Sequence, residues 1–119
     1  MIEQILHYLK LRLIIGEKNM NLKIGGIYTV EKFKYYFRAA IIIIDKNDEY
    51  LFYVIKISNY FNKNDIENIL KNQIKYLELR KKNFYIGTEQ FLSSKIDGYM
   101  GQVNDDMLFK LSNKFKSCS

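Results

Sequence analysis

The sequence has no proline, one cysteine and one histidine. Without proline, the chain marks its turns with glycine and asparagine. Cys118 alone forms no internal disulfide, which fits a reducing, cytoplasmic setting. No histidine or basic group is evident beside it to activate the thiol, so it reads as a passive tail residue. His7 and Cys118 lie at opposite ends of the chain. Neither a zinc cluster nor a Ser-His-Asp or Cys-His arrangement can be built around them. The phosphate-loop spacings GxxxxGKS/T and GxGxxG are missing, and "IGGIYTV" at residues 24–30 supplies neither. The acidic residues are scattered, and "DKNDE" at residues 45–49 lacks the glycine and the spaced glutamate of a calcium loop. The longest aliphatic run, "AAIIII", is far short of the about 20 apolar residues that a bilayer requires. Glu3, His7, Lys10 and Arg12 interrupt the N-terminal apolar pattern and no small-residue cleavage site follows, so the segment does not read as a signal peptide.

What the chain does have is apolar bulk and positive charge. Its 119 residues suit a single domain, and 48% hydrophobic content suffices for one core without disulfides or metal. The net charge of +6 favours an anionic partner.

Residues 2–15 carry Ile2, Ile5, Leu6, Leu9 and Leu13 at helical spacing. A start at Met20 would make residues 1–19 a helical extension of the domain. From Leu22 the texture is β. "IGGIYTV" turns at Gly25 and Gly26 and then alternates. "AAIIIID" predicts a strand buried on both faces. "KND" is a short turn, and "EYLFYVIKIS" completes a hairpin. Such apolar strands need cover, from a small closed barrel or from packed helices. Residues 64–76 predict a helix, with Asn64 as cap and Glu67 completing a capping box. Residues 83–92 read as strand and residues 93–106 as a polar connection. A last helix opens at Asn104, with Asp105 and Asp106 at its positive end and Lys110, Lys114 and Lys116 toward its negative end.

Two stretches combine basic and aromatic residues. Lys18, Lys23, Lys32, Lys34 and Arg38 are opposed by Glu31, and Lys71, Lys75, Arg80, Lys81 and Lys82 by Glu78. Lysines that track phosphates and rings that stack on bases suit single-stranded nucleic acid, at roughly 1–3 kcal/mol per stacked base. Solvated lysines around half-buried tyrosines would have the same composition.

The order of "IGGIYTV", a basic stretch, "FRAAIIIID" and "YLFYVIKIS" resembles the opening of the MazF/PemK-like toxins of type II toxin–antitoxin systems. "SSKIDGYMGQVNDDMLFKLSNKF" is similar to the ending of that family. The resemblance covers residues 22–116. Ala39 stands where the family has the proline of an Arg-Pro pair, and Gly26 where it has aspartate. The resemblance implies a small SH3-like barrel decorated with helices, and with the helical patterns above the expected fold is α+β, mainly β, with an added N-terminal helix, a middle helix and a C-terminal helix. It implies a metal-independent, cofactor-free endoribonuclease that cuts single-stranded RNA through the 2′-OH. It further implies a homodimer and a cognate antitoxin protein as partner. Arg38 matches the family arginine, and Ser58 the hydroxyl residue that ends the next strand. Lys32, Lys34, Tyr35, Tyr36, Lys81 and Lys82 are the expected RNA-binding residues. The alternative is a non-catalytic barrel module that binds RNA or a protein. A structural accessory role is a third reading.

Overall fold

A computed structural model describes residues 21–34, 38–57, 61–76 and 79–118. The expected N-terminal helix therefore lies outside the described residues. The elements in chain order are β1 Gly26–Val30, β2 Ala39–Lys46, β3 Tyr50–Lys56 and α1 Lys63–Lys75. A short 3-10 turn Lys81–Asn83 leads into β4 Phe84–Gly87, followed by α2 Glu89–Lys95, β5 Ile96–Gln102 and α3 Asp105–Cys118. None of the described helices is long and apolar enough to cross a membrane.

The five strands form one antiparallel sheet in the order β4-β3-β2-β1-β5. The first four make a meander, and β5 returns to pair with β1. The expected closed barrel is not formed: the sheet is open, with β4 and β5 as its edges. Closure requires the two end strands to tilt and pair with each other. Here β4 has only four residues, and helices cover the faces instead.

The run "AAIIII" occupies the middle of the sheet, and all of residues 39–44 are buried. Successive side chains on a strand point to opposite faces, so this one strand feeds two cores. Ala40, Ile42 and Ile44 join Ile27, Tyr53 and Ile55 on the first face, beneath Ile66 and Leu70 of α1 and Met107 and Leu111 of α3. Ala39, Ile41 and Ile43 join Tyr28, Val30, Phe52 and Val54 on the second face, with Phe33 and Leu92 of α2. Each fully buried isoleucine contributes about 1.5–3 kcal/mol relative to exposure.

Three local expectations are corrected. The capping box of α1 starts at Asn62, not Asn64. The Asn62 side chain accepts from the Asp65 N–H at 2.9 Å, and the Asp65 carboxylate accepts from the Asn62 N–H at 2.8 Å. The sequence offers asparagine at both positions, and burial of Ile66 and Leu70 selects the phase. The strand expected over residues 83–92 stops at Gly87. There the Thr88 hydroxyl accepts the Phe91 N–H and starts α2. The expected polar connection after Leu92 contains β5, whose alternation is broken by two register shifts against β1. By contrast Asn104 does cap α3, accepting from the Met107 N–H at 2.8 Å.

Gly26 has a steric reason to lack a side chain. A Cβ there would sit 2.7 Å from Cε2 of Tyr28 and 3.0 Å from the Lys23 carbonyl. The Tyr28 ring lies where a side chain would be. Gly26→Ala is therefore expected to destabilise the fold by about 1–3 kcal/mol. Urea denaturation would show a lowered midpoint with an unchanged slope.

Candidate nucleic-acid interface

The register brings one end of every strand together. Val30 at the end of β1 pairs with Ala39 at the start of β2 and with Ile96 at the start of β5. Ala39 pairs with Lys56 at the end of β3, and Tyr53 pairs with Phe84 at the start of β4. Lys32, Lys34, Arg38, Lys56, Arg80, Lys81, Lys82 and Lys95 therefore sit at or next to this end of the sheet. Glu31 and Asp97 are the acidic residues at the same positions among those described. The other end carries Asp45, Asp48 and Glu49 in the β2–β3 turn and Asp105 and Asp106 at the start of α3. Parts of two basic stretches that are distant in sequence, Lys32 to Arg38 and Arg80 to Lys82, are thus gathered at one end of a polarised molecule. Such a concentration of charge attracts polyanions.

Arg38 precedes β2 and is half-buried. Its carbonyl accepts the Ile57 N–H at 3.2 Å, which ties it to the end of β3. Its guanidinium carbon lies 5.8 Å from the centre of the Phe61 ring, and Phe61 packs against the first-face core. The Arg38 Nε is buried and has no hydrogen-bond partner among the described residues. Leaving a buried donor unsatisfied costs about 1–3 kcal/mol, and more for a charged group. A half-buried guanidinium held beside a ring is suited to an anionic oxygen through its terminal N–H groups.

Asp97 was missed in the sequence, because it lies in the stretch expected to be a connection. Thr29 pairs with Gly98 and Val30 with Ile96, so Asp97 is the extra residue of a β-bulge. Bulges re-aim side chains and are frequent beside active sites. The Thr29 hydroxyl donates to Oδ1 of Asp97 at 2.5 Å. Gly98 permits this approach, since a Cβ there would be 2.9 Å from the Thr29 hydroxyl. Thr29 pairs with Ala40 of β2, two residues along the chain from Arg38. Thr29, Ala40 and Arg38 belong to the same alternation, so the Asp97–Thr29 pair and Arg38 share the first face. The legible signal was the glycine at Gly98 inside an apolar-polar stretch, which marks bulges.

The expected site residues divide between faces. Lys34 has a left-handed backbone, φ 55°, and its Nζ lies 4.9 Å from the centre of the Tyr85 ring on the second face. Lys32, Lys81 and Lys82 are exposed. Arg38 and Lys34 are thus brought to one end of the sheet but not to one face. Tyr35, Tyr36 and Ser58 lie outside the described residues, as does His7. Among the described residues no group of three His, Cys, Asp or Glu side chains is arranged to hold a metal ion.

Beside Asp97, a pocket of about 280 Å³ is lined by Tyr28, Ile96, Asp97, Gly98 and Tyr99. Burial raises the pKa of the Tyr28 hydroxyl, because the phenolate is poorly solvated there. The Lys23 N–H, which donates to this oxygen at 2.9 Å, pulls the other way, and neighbouring Tyr99 and Tyr50 add smaller contributions to the rise. The folded chain holds this proton more tightly than the unfolded chain, whose tyrosine titrates near about 10. The associated stability is complete below about pH 10 and is lost as pH rises through the folded value. Tyr28→Phe should flatten this alkaline decline in urea melts, at a cost of about 0.5–1.5 kcal/mol at neutral pH for the lost hydrogen bond.

Comparison with protein-family models, with curated proteins and with solved structures finds no match to the chain.

Proposed function

We propose that the chain is a metal-independent endoribonuclease acting on single-stranded RNA, in the manner of the MazF/PemK-like toxins that its sequence resembles. The observation that carries this reading is the half-buried Arg38, held beside the Phe61 ring on the same face as the Thr29 hydroxyl that donates to the bulged Asp97. RNA brings its own nucleophile, the 2′-OH, so the protein has to supply a base, a counter-charge and position. Asp97, oriented by the Thr29 hydroxyl, accepts the 2′-OH proton. The 2′-oxygen bonds to phosphorus and the 5′-oxygen leaves with a proton from solvent or from a hydroxyl, a role for which the resemblance nominates Ser58. Arg38 binds the two non-bridging oxygens as charge grows on them. The exposed Lys32, Lys81 and Lys82 hold flanking phosphates.

The strand order also supports an SH3-like ancestry, since a four-strand meander whose fifth strand returns to the first is the connectivity of that class. In this reading the protein works as a homodimer, and a cognate antitoxin neutralises it.

Purified protein should cleave a fluorescent single-stranded RNA in excess EDTA. Arg38→Ala and Asp97→Asn should each slow cleavage by about 10²–10³-fold, with circular dichroism unchanged. No cleavage, or equal cleavage by Arg38→Ala, rules the reading out. Salt-dependent binding without cleavage would make the same surface a non-catalytic RNA module.

A further inference from the structure

The second face of the sheet carries an aromatic group that the proposed chemistry does not use. Phe33, buried between β1 and β2, is the hub. Its ring meets Tyr85 of β4 edge-on at 5.0 Å and Phe91 of α2 edge-on at 6.3 Å. Tyr85 is braced from within by stacking on Phe52 at 5.9 Å. Tyr85 is partly exposed, and Phe91 is 39% exposed. Each ring carries its own lysine: Lys34 Nζ lies 4.9 Å from the centre of Tyr85, and Lys95 Nζ 5.6 Å from that of Phe91. The left-handed backbone at Lys34, uncommon for a residue with a side chain, directs that lysine over the platform just after Phe33 enters the core.

We infer that Tyr85 and Phe91, fixed by Phe33, form a stacking platform for two unpaired bases, with Lys34 and Lys95 as phosphate ligands. This rests on the RNA reading above and extends it, placing part of the strand on the face opposite Arg38. Every base has a π-face, so exposed rings accept bases without regard to sequence. A base takes the outer face of each ring, and the displaced ammonium moves to the phosphate beside it. Tyr85 pairs with Phe52 in the middle of β3, and Lys34 and Lys95 link the platform to the basic end of the sheet, so a strand leaving Arg38 passes Lys81 and Lys82 to reach it. Charge complementarity selects a nucleic acid over an apolar peptide.

The test is fluorescence anisotropy at low salt with a labelled 2′-O-methyl RNA of about ten nucleotides, a probe that binds without being cut. Two double variants are compared with the wild type: Tyr85→Leu with Phe91→Leu, and Lys34→Asn with Lys95→Gln. Asparagine tolerates the left-handed backbone, and the second variant leaves the aromatic core intact. Each should weaken binding by about tenfold or more. The lysine variant should also lower the slope of log affinity against log salt by about 0.7 per lysine. Lys46→Gln, at the acidic end, should bind as the wild type does. Wild-type binding that neither double variant weakens overturns the platform alone. Absence of wild-type binding overturns the platform together with the RNA reading.

Discussion

The central strand β2 has no face left for water, and the rest of the molecule is arranged around that constraint. Residues 39–44 are all buried, so both surfaces of the sheet must be covered. On one side α1 and α3 do this through Ile66, Leu70, Met107 and Leu111. On the other, α2 contributes Leu92 and the β1–β2 connection contributes Phe33. Because Phe33 has to reach the core, the basic segment around it is drawn onto the sheet. The burial of one residue therefore decides where Lys34 lies.

The same central strand sets the position of the candidate catalytic groups. Arg38 is the last residue before β2, anchored through its carbonyl to Ile57. Rigid strands hold functional groups more precisely than loops do. Asp97 gains its place differently, through a bulge that interrupts the β1–β5 ladder. Regular pairing there would leave Asp97 on a different face from Thr29. The defect in the ladder delivers the carboxylate to the hydroxyl, at the end of the sheet where positive charge gathers.

Much of this was legible in the residues alone. The doubly buried strand followed from six consecutive apolar residues, and the last helix from Asn104 with its charge order, because these signals are local. The capping box of α1 was legible as a type but not in phase, since Asn62 and Asn64 both present capping side chains and burial of Ile66 and Leu70 decides between them. β5 was hidden because two extra residues break its alternation and Gly98 and Gly101 imitate a loop. The barrel expectation failed because pairing of end strands is a property of the whole sheet.

By itself the sequence determined the apolar central strand, the excess of positive charge, and the lack of histidine and cysteine chemistry. These depend on composition and on neighbours along the chain. Only the tertiary structure decided that parts of two distant basic stretches share one end of a sheet, that Asp97 stands on the face of Arg38, and that Lys34 stands on the other. The physical reason is antiparallel register. Pairing aligns residues far apart in sequence, and each extra residue in a strand changes the face that its side chain joins.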